Sequence, residues 1–263
     1  MSAETTDSLV AVPGGNIFVR RWNSGSTVPE PIVLLHDSLG SVEMWHDFPA
    51  ELSKASARPV IAYDRLGFGK SSPRYAPPST KFILEEAQVH FPAIARALDL
   101  NRYVLFGHSV GGSMALSVAA LHPSHCMAVI SESAQAFVEP RTLAGIEAAK
   151  ESFRIPERFA KLNKWHGDKS RWVLDAWIEV WLSPQFRSWS IVSHLKDVQC
   201  PVLAIHGNND EYGSEEFPRT IARHVQGPTS LEILRDCGHV PHRERKDLVL
   251  DLVATFIHKH LGS

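Results

Sequence analysis

"YVLFGHSVGGSMALSVAALHP", residues 103–123, passes from an apolar run of strand length, through a cluster of glycines around one serine, into an apolar run of helical length. Ser109 stands between Gly107 and Gly111, where the strand pattern gives way to the helix pattern. A side chain presented on so tight a strand-to-helix turn needs small flanks, because a Cβ at 107 or 111 would crowd the turning backbone. The turn also lies beside a helix N-terminus, whose free N–H groups and positive dipole end stabilise an anion formed next to it. Ligands in open α/β sheets sit beyond the carboxyl ends of the strands, so Ser109 is a candidate nucleophile in the right place.

Working outward, strand-like runs occur at "NIFVRRW", "PIVLLH", "PVIAYD", "YVLFGH", "MAVIS", "PVLAIHG" and "SLEILRD", most of them followed by helical spacing. The runs around Ile32, Val60, Val104, Val129 and Val202 are apolar at consecutive positions, as central strands buried on both faces require. "NIFVRRW" reads as an antiparallel edge. The pattern predicts an α/β fold, a mostly parallel doubly wound sheet, with helices over 84–98, 110–122 and 245–260. Strand signals vanish over 134–195, where helical stretches carry Trp165, Trp172, Trp177, Trp181 and Trp189. That interval reads as a helical insert, a cap, in a core made of 1–133 and 196–263.

Composition narrows the function classes. A chain of 263 residues that is 44% hydrophobic has enough material for a sizeable core. With 27 basic against 29 acidic side chains there is no basic field for nucleic acid. The opening "MSAETTDSLV" has no apolar segment, so neither a signal peptide nor a membrane span is expected there. Cys126, Cys200 and Cys237 are odd in number, far apart in sequence and without paired metal-ligand spacing, which suits reduced, buried thiols in a cytoplasm. The sequence offers no metal-ligand cluster and no dinucleotide fingerprint, so no cofactor is expected.

Serine is a weak nucleophile until a base takes its proton and a third group orients that base. "PVLAIHGNNDEY" places Asp210 in the loop after one strand, and "LEILRDCGHVPHRE" places His239 after the last. His242 is a competing base and Glu132, in "VISESA", a competing acid. With "GHSVGG", "HGNND", "CGHVPHRE", "LLHDSLG" and "YDRLGFGKSS" in this order over about 15–260, the chain resembles the α/β-hydrolase family. The resemblance implies Ser109, Asp210 and His239 as the catalytic set. It implies backbone N–H groups of Val110 and Ser38 as the oxyanion hole, and structural roles for His108 and Asp64. The loop reads His36-Asp37-Ser38-Leu39-Gly40 where a glycine commonly follows the histidine, so Asp37 is expected to point away from the developing charge or to be hydrogen-bonded. Residues 38–45 are similar to the corresponding stretch of enol-lactone hydrolases.

The activity so implied is hydrolysis of a small-molecule carboxylic ester, with lactones and thioesters in the same chemical reach. Two other functions share these residues: carbon–carbon hydrolysis of ring-fission dienones, and noncatalytic ligand binding on the same fold. In "RWVLDAWIEVWLS", Trp177 and Trp181 fall on one helix face. They read as a substrate-binding wall, as packing of the cap onto the core, or as a homodimer surface. Arg141, Arg154, Arg158 and Arg171 in the same insert read as a solvated face, or as groups that meet a substrate carboxylate, and none is singled out as a ligand.

Overall fold

The computed structural model describes residues 4–262, apart from 24 and 27. Its framework is an eight-stranded sheet: β1 (Glu4–Val12), β2 (Gly15–Asn23), β3 (Ile32–Leu35), β4 (Val60–Tyr63), β5 (Tyr103–His108), β6 (Cys126–Glu132), β7 (Val202–Gly207) and β8 (Thr229–Leu234). The spatial order is β1-β2-β4-β3-β5-β6-β7-β8. Strands β4 to β8 and β3 are parallel, whereas β2 is antiparallel to both β1 and β4.

The edge differs from the sequence reading. "NIFVRRW" is antiparallel but second in the sheet, and the edge is β1, whose side chains are mostly exposed. With no buried face, β1 carries no hydrophobic alternation to read. It is held through a two-residue turn in which Gly14 takes a φ of 98°, and by Arg20, which grips the Asp7 carboxylate opposite it with Nε at 2.6 Å and Nη2 at 2.8 Å.

Alternate residues of the central strands serve two cores. Ile32, Leu34, Val104, Phe106, Leu203 and Ile205 meet helices Phe48–Ser56 and Lys246–Leu261 on one face. Val33, Leu35, Leu105 and Val129 on the other face meet Phe91, Met114 and Val118, and the same cluster continues into Ile146, Leu174, Trp181 and Phe186. Between β6 and β7 the chain forms helices Pro140–Ser152, Pro156–His166, Ser170–Trp181 and Val192–Leu195. This insertion shares its apolar contacts with the sheet instead of closing a core of its own. Its polar ends are tied down as well: His166 Nδ1 accepts from Gly69 N–H at 2.9 Å and Nε2 donates to the Leu39 carbonyl at 2.9 Å.

The segment expected to be one helix over 84–98 is helical from Phe82 to Ala97, but a π-helical turn, Glu86–His90, interrupts it. Cys126, at the start of β6, and Cys200, just before β7, lie with their sulfurs 3.8 Å apart, both as free thiols. Among the described residues no helix is long and apolar enough to cross a membrane.

Candidate active site

The elbow is built as its glycines require. β5 ends at His108, helix Val110–Leu121 begins at once, and Ser109 between them has φ 57° and ψ −126°. A Cβ on Gly107 would collide with the Gly111 carbonyl, and one on Gly111 with the Leu35 carbonyl of β3. Helix and strand therefore approach backbone to backbone, and the positive φ turns the Ser109 side chain out of the sheet toward the insertion.

Two loops converge on that side chain. His239, after β8, places Nε2 2.9 Å from Ser109 Oγ, and its Nδ1 lies 2.8 and 2.9 Å from the two oxygens of Asp210, after β7. Asp210 is buried, and its Oδ1 also accepts the Tyr212 N–H at 2.7 Å. Burial works to raise the Asp210 pKa, but the charge and hydrogen bond of His239, with His206 nearby, outweigh it and hold the carboxyl below its usual range. An ionised carboxylate on Nδ1 fixes the imidazole with its bare Nε2 toward the serine, the arrangement needed to accept a proton from Oγ.

The competing acid and base are present too, but they pair with each other. His242 Nδ1 lies 2.5 Å from Glu132 Oε2, both buried, and His242 packs against Trp45 and Phe48. His108, Glu132 and His242 bring potential ligand atoms within 4.8 Å of one another. Of these atoms, His108 Nε2 donates to the His239 carbonyl at 2.8 Å, His108 Nδ1 faces the Asp37 carboxylate at 3.5 Å and His242 Nδ1 is held by Glu132 Oε2, while Glu132 Oε1 is buried without a partner.

Asp37 is hydrogen-bonded: Oδ1 accepts the Leu39 N–H at 2.8 Å and Oδ2 meets His108. The Asp37 carbonyl accepts from Gly40 N–H and Arg65 Nη2. Leu39 and Gly40 N–H are bonded within this loop, whereas the Ser38 N–H, like the Val110 N–H that opens the helix, takes no part in a hydrogen bond with the described residues. Ser38, Trp177, Trp181 and Tyr212 line one cavity with Ser109 and His239. Trp181 is 1% exposed and packs on Phe186 and Trp189, so it serves packing and wall together, whereas Trp177 is half-buried against Tyr212. Sequence reasoning missed Gln135, in the loop after β6, whose Nε2 donates to Ser109 Oγ at 3.2 Å. No motif marks it, since only the loop's path brings it there.

His108 joins three loops: its backbone precedes Ser109, Nε2 holds the His239 loop and Nδ1 holds the Asp37 loop. Burial opposes its charge, but Asp37 and Glu132 outweigh burial and push its pKa up to about 9. A histidine raised from 6.5 contributes stability that is complete below 6.5 and lost as pH rises through about 9. The melting temperature is thus expected to fall between those values, and the fall should flatten in His108→Gln. Calorimetry across that range checks it; parallel curves for the two proteins would remove His108 from this role.

With this geometry in view, a model of the alpha/beta hydrolase family matches residues 32–252. The chain belongs to that family. Serine hydrolase BPHL of Mus musculus is 27% identical over 96% of this chain and 86% of its own length. The 2-hydroxy-6-oxo-2,4-heptadienoate hydrolase of Pseudomonas putida is 24% identical over 86% of this chain and 88% of its own. Among solved structures, the enol-lactonase from Burkholderia xenovorans LB400 superposes with a TM-score of 0.72 at 20% identity, covering 95% of this chain and 99% of that one, a likeness of fold. As an alpha/beta hydrolase, the chain has its elbow serine, acid and histidine on the loops after β5, β7 and β8.

Proposed function

We propose that this alpha/beta hydrolase cleaves carboxylic esters through an acyl-enzyme on Ser109, with His239 as base and Asp210 as the acid that orients it. The observation that carries the reading is the unbroken hydrogen-bonded chain from Asp210 through His239 to Ser109 Oγ. His239 Nε2 takes the hydroxyl proton as Oγ bonds to the carbonyl carbon, and the π pair moves onto oxygen. The Ser38 and Val110 N–H groups, free of other partners, receive that oxyanion. Collapse expels the alkoxide, which takes the proton from His239. Water, deprotonated by the same imidazole, then repeats the addition and releases the acid and the free serine.

The helical insertion acts in this reading as a cap that excludes water from the cavity over Ser109. Leu39 and Tyr212 belong both to that cavity and to an apolar cleft with Met44, Phe153, Leu162 and Trp165, a site for a short acyl chain. Three free, buried thiols support a reducing, cytoplasmic setting.

A series of p-nitrophenyl esters from acetate to decanoate tests the activity, and a fluorophosphonate probe tests the residue. The expected result is turnover with an optimum at a short or medium chain, and a phosphonylated peptide containing Ser109 by mass spectrometry. A folded protein inert on every ester removes the ester reading and leaves ring-fission dienones as the next substrates to assay.

A further inference from the structure

We propose that a second cleft, adjoining the catalytic cavity at Ser38, is an anion site that selects esters bearing a carboxylate. The inference rests on the ester-hydrolase reading of the same site and adds the substrate class. The cleft is a narrow recess of about 30 Å³ that shares Ser38, Trp177 and Trp181 with the cavity of Ser109 and His239, room for the carboxylate end of a ligand seated over Ser109.

Its charges do not balance. Arg65 is buried, and its guanidinium meets only neutral groups: the Asp37 carbonyl at 2.7 Å from Nη2, the His36 ring, and the face of Phe68 at 4.3 Å. Arg74 lines the same cleft and has no hydrogen-bond or ion-pair partner among the described residues. One carboxylate, Glu86, faces them, and it also accepts the Tyr63 hydroxyl at 2.7 Å. Two guanidinium groups, Arg65 buried and Arg74 half-buried, face one carboxylate in the cleft, and the nearby Asp37 carboxylate is already paired with His108, so the cleft keeps a positive charge that an anion would complete. His90, which also lines the cleft, has a buried Nδ1 without a partner. Glu86 and His90 stand at the two ends of the π-helical turn, an irregularity that recurs at functional sites.

A carboxylate fits this set, because the planar fork of an arginine matches its two oxygens. The four arginines that the sequence placed in the insertion are engaged elsewhere: Arg141 with the Asp210 and Gly213 carbonyls, Arg154 with Glu151, Arg158 with Ser152 and Arg171 with Asp175.

Two matched pairs of esters test the proposal: mono-p-nitrophenyl glutarate against p-nitrophenyl butyrate, and 4-acetoxybenzoate against 4-acetoxytoluene. Turnover of the neutral members tests the ester reading by itself. The expected result is a kcat/KM preference of about tenfold or more for the charged member of one pair, which also tells whether the anion sits on the acyl or the alcohol side. Arg74→Gln should cut that preference about tenfold, while Arg171→Gln, an exposed guanidinium outside the cleft, leaves it in place. Neutral esters turned over with no preference in either pair overturn the anion site. If no ester is cleaved at all, the ester reading falls, and titration with glutarate followed by tryptophan fluorescence decides the site: saturable quenching that weakens in Arg74→Gln supports it, and none overturns it.

Discussion

A Ser109→Ala variant is expected to lose about 10⁴- to 10⁶-fold in kcat on every ester the wild type cleaves, with its melting curve almost unchanged. The size follows from the role proposed for the hydroxyl. Without Oγ no acyl-enzyme forms, and the imidazole has no proton to take. What remains is a cavity with two free N–H donors and a base, able to assist direct attack by water only weakly. The fold should tolerate the change, because alanine meets the positive φ at 109 with the same Cβ as serine and leaves the glycine contacts around the elbow intact. The hydroxyl's own partners, His239 Nε2 and Gln135 Nε2, lose one hydrogen bond each and still face the cavity. Steady-state rates on the best p-nitrophenyl ester, with a thermal melt of each protein, make the comparison. An alanine variant that keeps a substantial share of the wild-type rate sinks the serine mechanism.

The parts of this molecule that sequence exposes are those where local chemistry admits few residues. At the elbow, the contacts that forbid a Cβ at 107 and 111 are the same ones that bring helix and strand together, so the glycines announce the turn. Strands β3 to β7 announce themselves because both faces are buried. β1 does not, since an exposed edge imposes no pattern. The Asp37 position shows a middle case. Sequence required that its charge be neutralised or turned away, but not that His108, from the next strand along, would be its partner. Gln135 and the Arg65–Arg74 cleft were illegible for another reason: they depend on how the insertion folds back over the sheet, and no local period or spacing encodes that path.

Asp210→Asn should lower kcat by about 10⁴-fold while changing KM little, whereas Glu132→Gln should cost no more than about tenfold. Sequence offered two acids and two histidines, and distance sorts them into pairs. Asp210 meets His239, and His239 alone of the two reaches Ser109 Oγ; Glu132 meets His242, which is walled in by Trp45 and Phe48. Asparagine keeps the shape of Asp210 but can present an N–H to Nδ1. That favours the tautomer with its proton on Nε2, which then points a proton at Ser109 and cannot accept one. In the proposed mechanism the Asp210 charge also stabilises the imidazolium formed during attack, and the amide removes it. Glu132 acts at one remove, through His242 and through the field it adds around His108, so its loss should appear in the melting temperature more than in the rate. Single-turnover acylation rates for the two variants separate these cases, since proton transfer from Ser109 belongs to that step. A Glu132→Gln loss equal to that of Asp210→Asn would mean that both pairs act on Ser109 as one network, with His108, which bonds the His239 carbonyl and feels the Glu132 charge, as the link between them.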